Sequence, residues 1–170
     1  MPMPTVAAAN SSMPCPLWRR LLALIYDLLI VVAIVMVVGL LCQLATGGKL
    51  ISTNGHAEIP LWYRPLQGLV VSAYFISSWL LGGQTLGMRP WRIRLTRRDG
   101  SSPTLQQAVL RVLVAAAPML VLMLAPTSGM RISLWTLLAV WVVWFATALV
   151  DARRRALHDI VAATELRRLD

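Results

Sequence analysis

Hydrophobic residues in this chain fall in long unbroken runs, with the polar residues gathered between them. Four runs stand out. Leu21–Leu44 holds one charge, Asp27, and Leu66–Met88 holds none, its apolar part ending near Leu81. Leu105–Ala125 holds one charge, Arg111, and Ile132–Val150 holds none. About 20 helical residues cross the ~30 Å hydrocarbon core of a bilayer, and in lipid a spanning segment satisfies its own backbone only as a helix. The pattern predicts four transmembrane helices, over about 19–44, 64–82, 104–125 and 132–150. The third is the least regular, because Arg111 and Pro118 would also fit an interfacial or re-entrant segment. It reads as a span because Val112–Met130 is free of charge and membrane helices tolerate proline. Pro126–Arg131 then reads as the tight turn of a helical hairpin. The first run is too long for the apolar part of a signal peptide, carries Asp27 and is followed by three more spans, so it is read as a retained helix.

The segments between the runs are informative. Residues 1–16, with four prolines, read as a disordered tail. The loop Ala45–Arg64 holds Gly47-Gly48 and Asn54-Gly55 and fits a short hairpin, with His56 a solvated histidine. Between the second and third runs, Trp91-Arg92-Ile93-Arg94-Leu95-Thr96-Arg97 alternates with period two and reads as a strand. Asp99-Gly100 is a turn signal, and Ser102 before Pro103 reads as the cap of the third helix. After the fourth run, Asp151–Asp170 is basic. Leu157, Ile160, Val161 and Leu166 fit an amphipathic helix lying on the membrane surface. Val161–Leu166 equally fits a strand paired with Trp91–Arg97.

Composition agrees with a membrane protein. Of 170 residues, 58% are hydrophobic and 14% charged, with a mean hydropathy of +0.68, against about 45–50% and 25% for a soluble domain. The net charge of +9 comes from 16 Lys+Arg and 7 Asp+Glu, all the basic residues but Lys49 being arginine. That excess raises the question of nucleic acid, but the arginines lie in the gaps between apolar runs. With both termini in the cytoplasm, thirteen basic residues fall inside, and only Lys49, Arg64 and Arg131 outside, as the positive-inside rule requires. Trp18, Trp62, Tyr63, Trp79 and Trp135 fall near span ends, where an aromatic belt sits. Trp141 and Trp144 lie deeper and read as packing residues. The expected fold is therefore an all-α integral membrane protein with four transmembrane helices, N-in/C-in, and a short cytoplasmic strand or hairpin between helices 2 and 3. The charge asymmetry places both termini on the cytoplasmic side of the membrane.

Several chemistries are disfavoured. Cys15 and Cys42 stand at opposite ends of the first helix, ~40 Å apart at 1.5 Å per residue, too far for a disulfide. Cys15, between Pro14 and Pro16 with no apolar stretch ahead, does not fit a lipoprotein cleavage site. Gly82 and Gly87 have phosphate-loop spacing, but Met88-Arg89 stands where Lys and Ser/Thr are needed. Two histidines and two distant cysteines make no metal site. No serine elbow or carboxylate pair marks an enzyme, and no cofactor is implied.

Ionisable groups inside spans are costly and point to function. Asp27 and Arg111 each lie about seven residues in from the cytoplasmic end, near 10 Å deep, and are expected to pair. Ala23 leaves room for close helix approach beside Asp27, and Gln107, Arg111 and Ala115 share a face. Arg20 shares the Asp27 face but is too far along the axis to bond it. Arg20 is expected at headgroup level or on Asp151 or Asp159. His158-Asp159 fits a proton-handling pair if the histidine titrates near neutrality. Arg153, Arg154 and Arg155 are candidates for anionic lipid headgroups.

Taken together, these stretches resemble a known family. Trp18-Arg19-Arg20-Leu21-Leu22-Ala23-Leu24-Ile25-Tyr26-Asp27 resembles the opening of the RDD family of bacterial membrane proteins, named for one arginine and two aspartates. Gly83-Gln84-Thr85-Leu86-Gly87-Met88-Arg89 resembles its next signature. Asp99-Gly100, Gln107-Ala108, Arg111 and the ending Asp151-x-Arg153-Arg154-Arg155-Ala156-Leu157-His158-Asp159 with Ala163-Thr164 continue the likeness. It spans about Trp18–Arg167, giving an RDD-like membrane domain at 17–167 with a basic segment at 151–170. By this resemblance Arg20 is the family arginine, Asp27 the first aspartate and Asp159 the second, with Asp151 the other choice. The chain departs by carrying Ala163 where a glycine usually precedes the late threonine, and Met88 where lysine is common. Some family members are implicated in antiport of sodium, lithium or potassium against protons. The resemblance therefore implies a small monovalent cation/proton antiporter, or a subunit of one, with Asp27 the exchanging carboxylate. Arg111 and Arg20 would lower its pKa, and His158-Asp159 would gate the inner mouth. Four helices make a thin transporter, so a homo-oligomer is implied, with Gly68 and Ser72 a small-residue pair for helix packing. The alternative is a non-transporting scaffold or accessory protein whose basic inner surface binds anionic lipid or a partner protein.

Overall fold

A computed structural model of the chain describes residues 15–48, 50, 59–151 and 155–169. His56, Arg153, Arg154, nearly all of the expected tail at 1–16 and most of the expected loop hairpin lie outside the described residues. Helix α1 (Leu17–Ala45) follows Pro16, whose ring pre-sets its own φ at the helix entrance. It stops at Gly47 and Gly48, both with positive φ, whose amides bond back to Leu44 and Gln43 at 3.1 and 2.8 Å. Helix α2 (Tyr63–Gly82) ends on Gly83, left-handed at φ 67°, with its amide on Trp79 O at 3.0 Å.

The third apolar run is continuous but not uniform. It opens as α3 (Leu105–Ala116), tightens to a 3-10 helix over Ala117–Leu124 and closes as α4 (Ala125–Ser128). Pro118 and Pro126 lack the amide hydrogens that would reach back to Val114 and Leu122, which interrupts the α-helical ladder. Its start also differs from expectation. Thr104, not Ser102, is the N-cap: its hydroxyl accepts from Gln107 N–H, while the Gln107 side chain accepts from Thr104 N–H at 3.1 Å. The T-x-x-Q spacing is a capping box. The expected six-residue turn narrows to Gly129, φ 84°, before α5 (Met130–Val150), with the Ser128 and Ser133 hydroxyls 3.0 Å apart across it. Four helices are thus long and apolar enough to cross a membrane.

The segment between α2 and α3 carries strand β1 (Ile93–Arg97). Its partner is not a neighbouring strand but the C-terminal segment. That segment forms a short helix α6 (Leu157–Val161), then β2 (Thr164–Arg168), antiparallel to β1 with Leu95 opposite Leu166. Leu157, Ile160 and Val161 are helical as one reading had it, and Leu166 is in a strand as the other had it. Ile93, Leu95 and Leu166 point inward to Cys15, Ala23, Trp79, Met88 and Ala108. The two-stranded sheet therefore closes over one end of α1, α2 and α3. Away from that end the helices expose Leu28, Leu29, Met36, Leu40, Leu138 and Val142, as expected of helices whose neighbours include lipid tails. Gly68 has no atom within 4 Å of where a Cβ would stand, so it serves no close helix contact within the described residues.

Candidate functional site

The closed end holds two buried carboxylates. Arg20 and Asp27 lie seven residues apart on α1 and so on one face, but they serve different neighbours. Asp27, 4% exposed, receives the loop that leaves α2. Thr85 Oγ1 donates to its Oδ2 at 2.6 Å, and Gly87 N–H and the Tyr74 hydroxyl donate to its Oδ1 at 3.0 and 3.1 Å. Tyr74 in turn accepts from Leu86 N–H at 3.1 Å, and Met88 N–H donates to the Thr85 hydroxyl at 3.2 Å. The loop lies so close to α1 that a Cβ at position 87 would stand 2.6 Å from Ala23 O and from atoms of Asp27. Only glycine fits there. Leu95 N–H on Gly83 O and the Gln84 amide on Ile93 O, both at 2.7 Å, tie the same loop to β1.

The expected Asp27–Arg111 pair does not form. Equal depth along two helices leaves their rotation free, and here the two side chains face different partners. Arg111, 4% exposed, donates through Nη1 to Asp159 Oδ1 and to Thr164 Oγ1, the latter at 3.0 Å. Its guanidinium lies 5.1 Å from the Trp79 ring centroid. Trp79 is accordingly a buried packing residue and not part of an interfacial belt. Arg20 reaches the second oxygen of Asp159 at 3.4 Å and Leu166 O at 3.5 Å. Ala156 N–H completes the set at 3.0 Å. Asp159, fully buried, thus gathers the start of α1, the middle of α3 and the C-terminal segment.

The charges follow this geometry. Burial alone would raise the Asp159 pKa, but Arg111, His158 and Arg20 together outweigh it and hold the carboxyl below its usual range. His158 is pushed down to about 4, first by burial and then by the Arg111 and Arg20 charges, which Asp159 only partly offsets. It is therefore neutral at pH 7, and the expectation that it titrates near neutrality is not met. Asp151 stands apart, bridging Arg155 at 2.9 Å through both of its oxygens. Arg155, a headgroup candidate in the sequence, is thereby engaged, and the Asp151 hydrogen bond raises its pKa. No group of three or more His, Cys, Asp or Glu gathers in a metal-binding arrangement among the described residues.

Two kinds of chemistry therefore sit side by side. Asp159 is neutralised by fixed cations. Among the described residues Asp27 is bonded only by uncharged donors. Tyr74, Thr85 and Thr164 complete the site and were not singled out as site residues from the sequence. Thr85 and Thr164 had a signal, their places in the Gly83–Arg89 stretch and beside Ala163 in the ending, while a lone tyrosine at 74 had none. No curated protein and no solved structure matches the chain. The model of the RDD family matches residues 14–163, a stretch that holds Arg20, Asp27, Arg111 and Asp159 and most of the chain, and the protein belongs to the RDD family.

Proposed function

We propose that this RDD-family membrane protein exchanges protons for a monovalent cation at Asp27. The observation that carries the reading is the Asp27 environment: a buried carboxylate on an apolar helix, held by two hydroxyls and one amide, with no cationic side chain bonded to it among the described residues. Such a group binds a proton on one side of the membrane and releases it for Na⁺, Li⁺ or K⁺ on the other. The Thr85 and Tyr74 oxygens supply further hard ligands for a cation. Arg20, Asp159 and Arg111 form the fixed frame and take no part in exchange. The protein resides in the bacterial inner membrane with both termini cytoplasmic. The charge asymmetry supports this, as does the joining of the start of α1 to α6 through Arg20 and Asp159. Transport requires an oligomer, since four spanning helices make a thin transporter on their own.

The test is proton exchange in inside-out vesicles from an antiporter-deficient bacterium, read with a pH-sensitive dye on adding each cation. A cation-dependent signal lost in Asp27→Asn at matched expression supports the reading. Full transport by Asp27→Asn overturns it. Silence from well-inserted wild type, with one stoichiometric partner copurifying, would favour a non-transporting accessory protein instead.

A further inference from the structure

A second site lies on the outer flank of α1, apart from both carboxylates. Trp91 packs edge-on against two α1 rings, Trp18 at 5.9 Å and Tyr26 at 6.0 Å between centroids. Trp18 and Tyr26 remain half exposed, next to the exposed apolar side chains of Leu21, Ile25 and Leu29. Arg19 lies 5.0 Å from the Trp18 centroid and donates weakly to Trp91 O at 3.4 Å. Its Nε and the Trp91 indole nitrogen are buried without a hydrogen-bond partner, an arrangement that buried donors rarely tolerate.

The turn that presents Trp91 also presents Arg89 and Arg92, both exposed. Arg92 has a left-handed backbone, φ 52°, which a non-glycine residue seldom adopts. It is held there by its amide on Arg89 O at 3.1 Å and by Leu169 N–H on its carbonyl at 2.7 Å. Among the described residues, Arg19, Arg89 and Arg92 pair with no carboxylate.

We infer that this corner, formed by Trp18, Arg19, Tyr26, Arg89, Trp91 and Arg92, binds the phosphate headgroup of an anionic phospholipid. Guanidinium groups recognise phosphate oxygens, and half-exposed tryptophan and tyrosine favour the headgroup level. The apolar flank below them offers a track for the acyl chains. A lipid fits better than an acidic protein because the cations adjoin that apolar flank rather than standing on a polar surface. The site does not depend on whether Asp27 carries ions.

The test uses purified full-length protein in detergent, titrated with phosphatidylglycerol or phosphatidylcholine, with bound lipids counted by native mass spectrometry. Wild type should retain phosphatidylglycerol selectively. Arg19→Gln combined with Arg92→Gly should weaken that retention tenfold or more, while Arg64→Gln combined with Arg131→Gln, removing the same charge from two exposed positions outside this corner, should leave it unchanged. Should the first pair fail to fold, Arg92→Gly alone keeps the test, since glycine suits the positive φ. Equal retention of the two lipids by wild type, or equal loss in the two charge-matched variants, overturns the assignment. Displacement of the lipid by excess inorganic phosphate overturns it in favour of a free-phosphate site.

Discussion

Asp159 and Asp27 are both buried carboxylates at the closed end of the molecule, and they are held by opposite means. Asp159 sits between two guanidinium groups. Asp27 sits among a threonine hydroxyl, a tyrosine hydroxyl and a backbone amide. The difference decides what each can do. Protonating or removing Asp159 takes the bonded carboxylate from buried Arg111 and one partner from Arg20, a structural cost that Asp27 does not carry. Asp27 has no cationic side chain bonded to it among the described residues, and its three hydrogen bonds tie α2 and the loop that leaves it to α1. One fold thus separates a charge clamp from a hydrogen-bond latch across the same end of α1.

The largest effect expected from this contrast is the loss of Asp159. Asp159→Asn should cost about 3–5 kcal/mol, the range for breaking a buried ion pair from one side. Asp27→Asn should cost about 1–3 kcal/mol, the range for leaving a buried hydrogen-bonding group unsatisfied. Thermal unfolding of both variants in detergent at matched protein concentration checks the order. Equal losses would erase the distinction between clamp and latch.

Next in size is a pH effect confined to the clamp. His158 titrates near 4 in the folded protein against 6.5 unfolded. Between those values the unfolded chain binds a proton that the folded one refuses, so stability falls on acidification, by about 3 kcal/mol across the window. Above pH 6.5 both states are neutral at this site and the contribution is flat. Asp159, its pKa held below the usual range, gives way only under more acid conditions. The melting temperature should therefore decline from pH 6.5 toward 4 in wild type, and decline less in His158→Gln.

The latch is probed by packing. A Cβ on residue 87 meets Ala23 O and Asp27 at 2.6 Å, so Gly87→Ala must lift the loop from α1. The expected loss is about 1–3 kcal/mol, the usual cost of forcing extra atoms into a packed site. On the proposed exchange at Asp27, transport should fall with it, and faster proteolysis within the Gly83–Arg92 loop should accompany the loss. An alanine accepted at full stability and activity would mean the latch does not close as described.

Much of this was legible beforehand, and what was missed has a common cause. The apolar runs gave the helices within a few residues, because span length is a one-dimensional property. The period-two stretch gave β1, and its pairing with the C-terminal segment stood as one of two readings, because with a partner 67 or more residues away pattern alone does not choose between strand and surface helix. Depth along a helix was readable for Asp27 and Arg111, but rotation about the axis was not, so a pair was expected where two separate sites stand. Thr104 and Gln107 form a cap that their spacing does encode, hidden behind the more conspicuous Ser102-Pro103.

Ala163 shows the sequence carrying a signal whose meaning only the backbone supplies. The family resemblance implies a glycine just before the late threonine, alanine stands there instead, and its φ is 52°. Position 163 follows the end of α6, its amide on Ile160 O at 3.1 Å, and turns the chain into β2 so that Thr164 meets Arg111. A left-handed residue at a helix C-terminus is the role glycine fills without steric cost. Alanine bears a penalty of order 1–2 kcal/mol there, partly offset by its smaller conformational freedom when unfolded. Ala163→Gly should therefore stabilise the protein by about 0.5–1 kcal/mol, a small upward shift in melting temperature with no change at Asp27. Because the gain arises at the clamp, it should shrink in an Asp159→Asn background, where β2 is no longer held against α3. A gain of the same size in both backgrounds would show that the turn at 163 and the ion-pair cluster act independently.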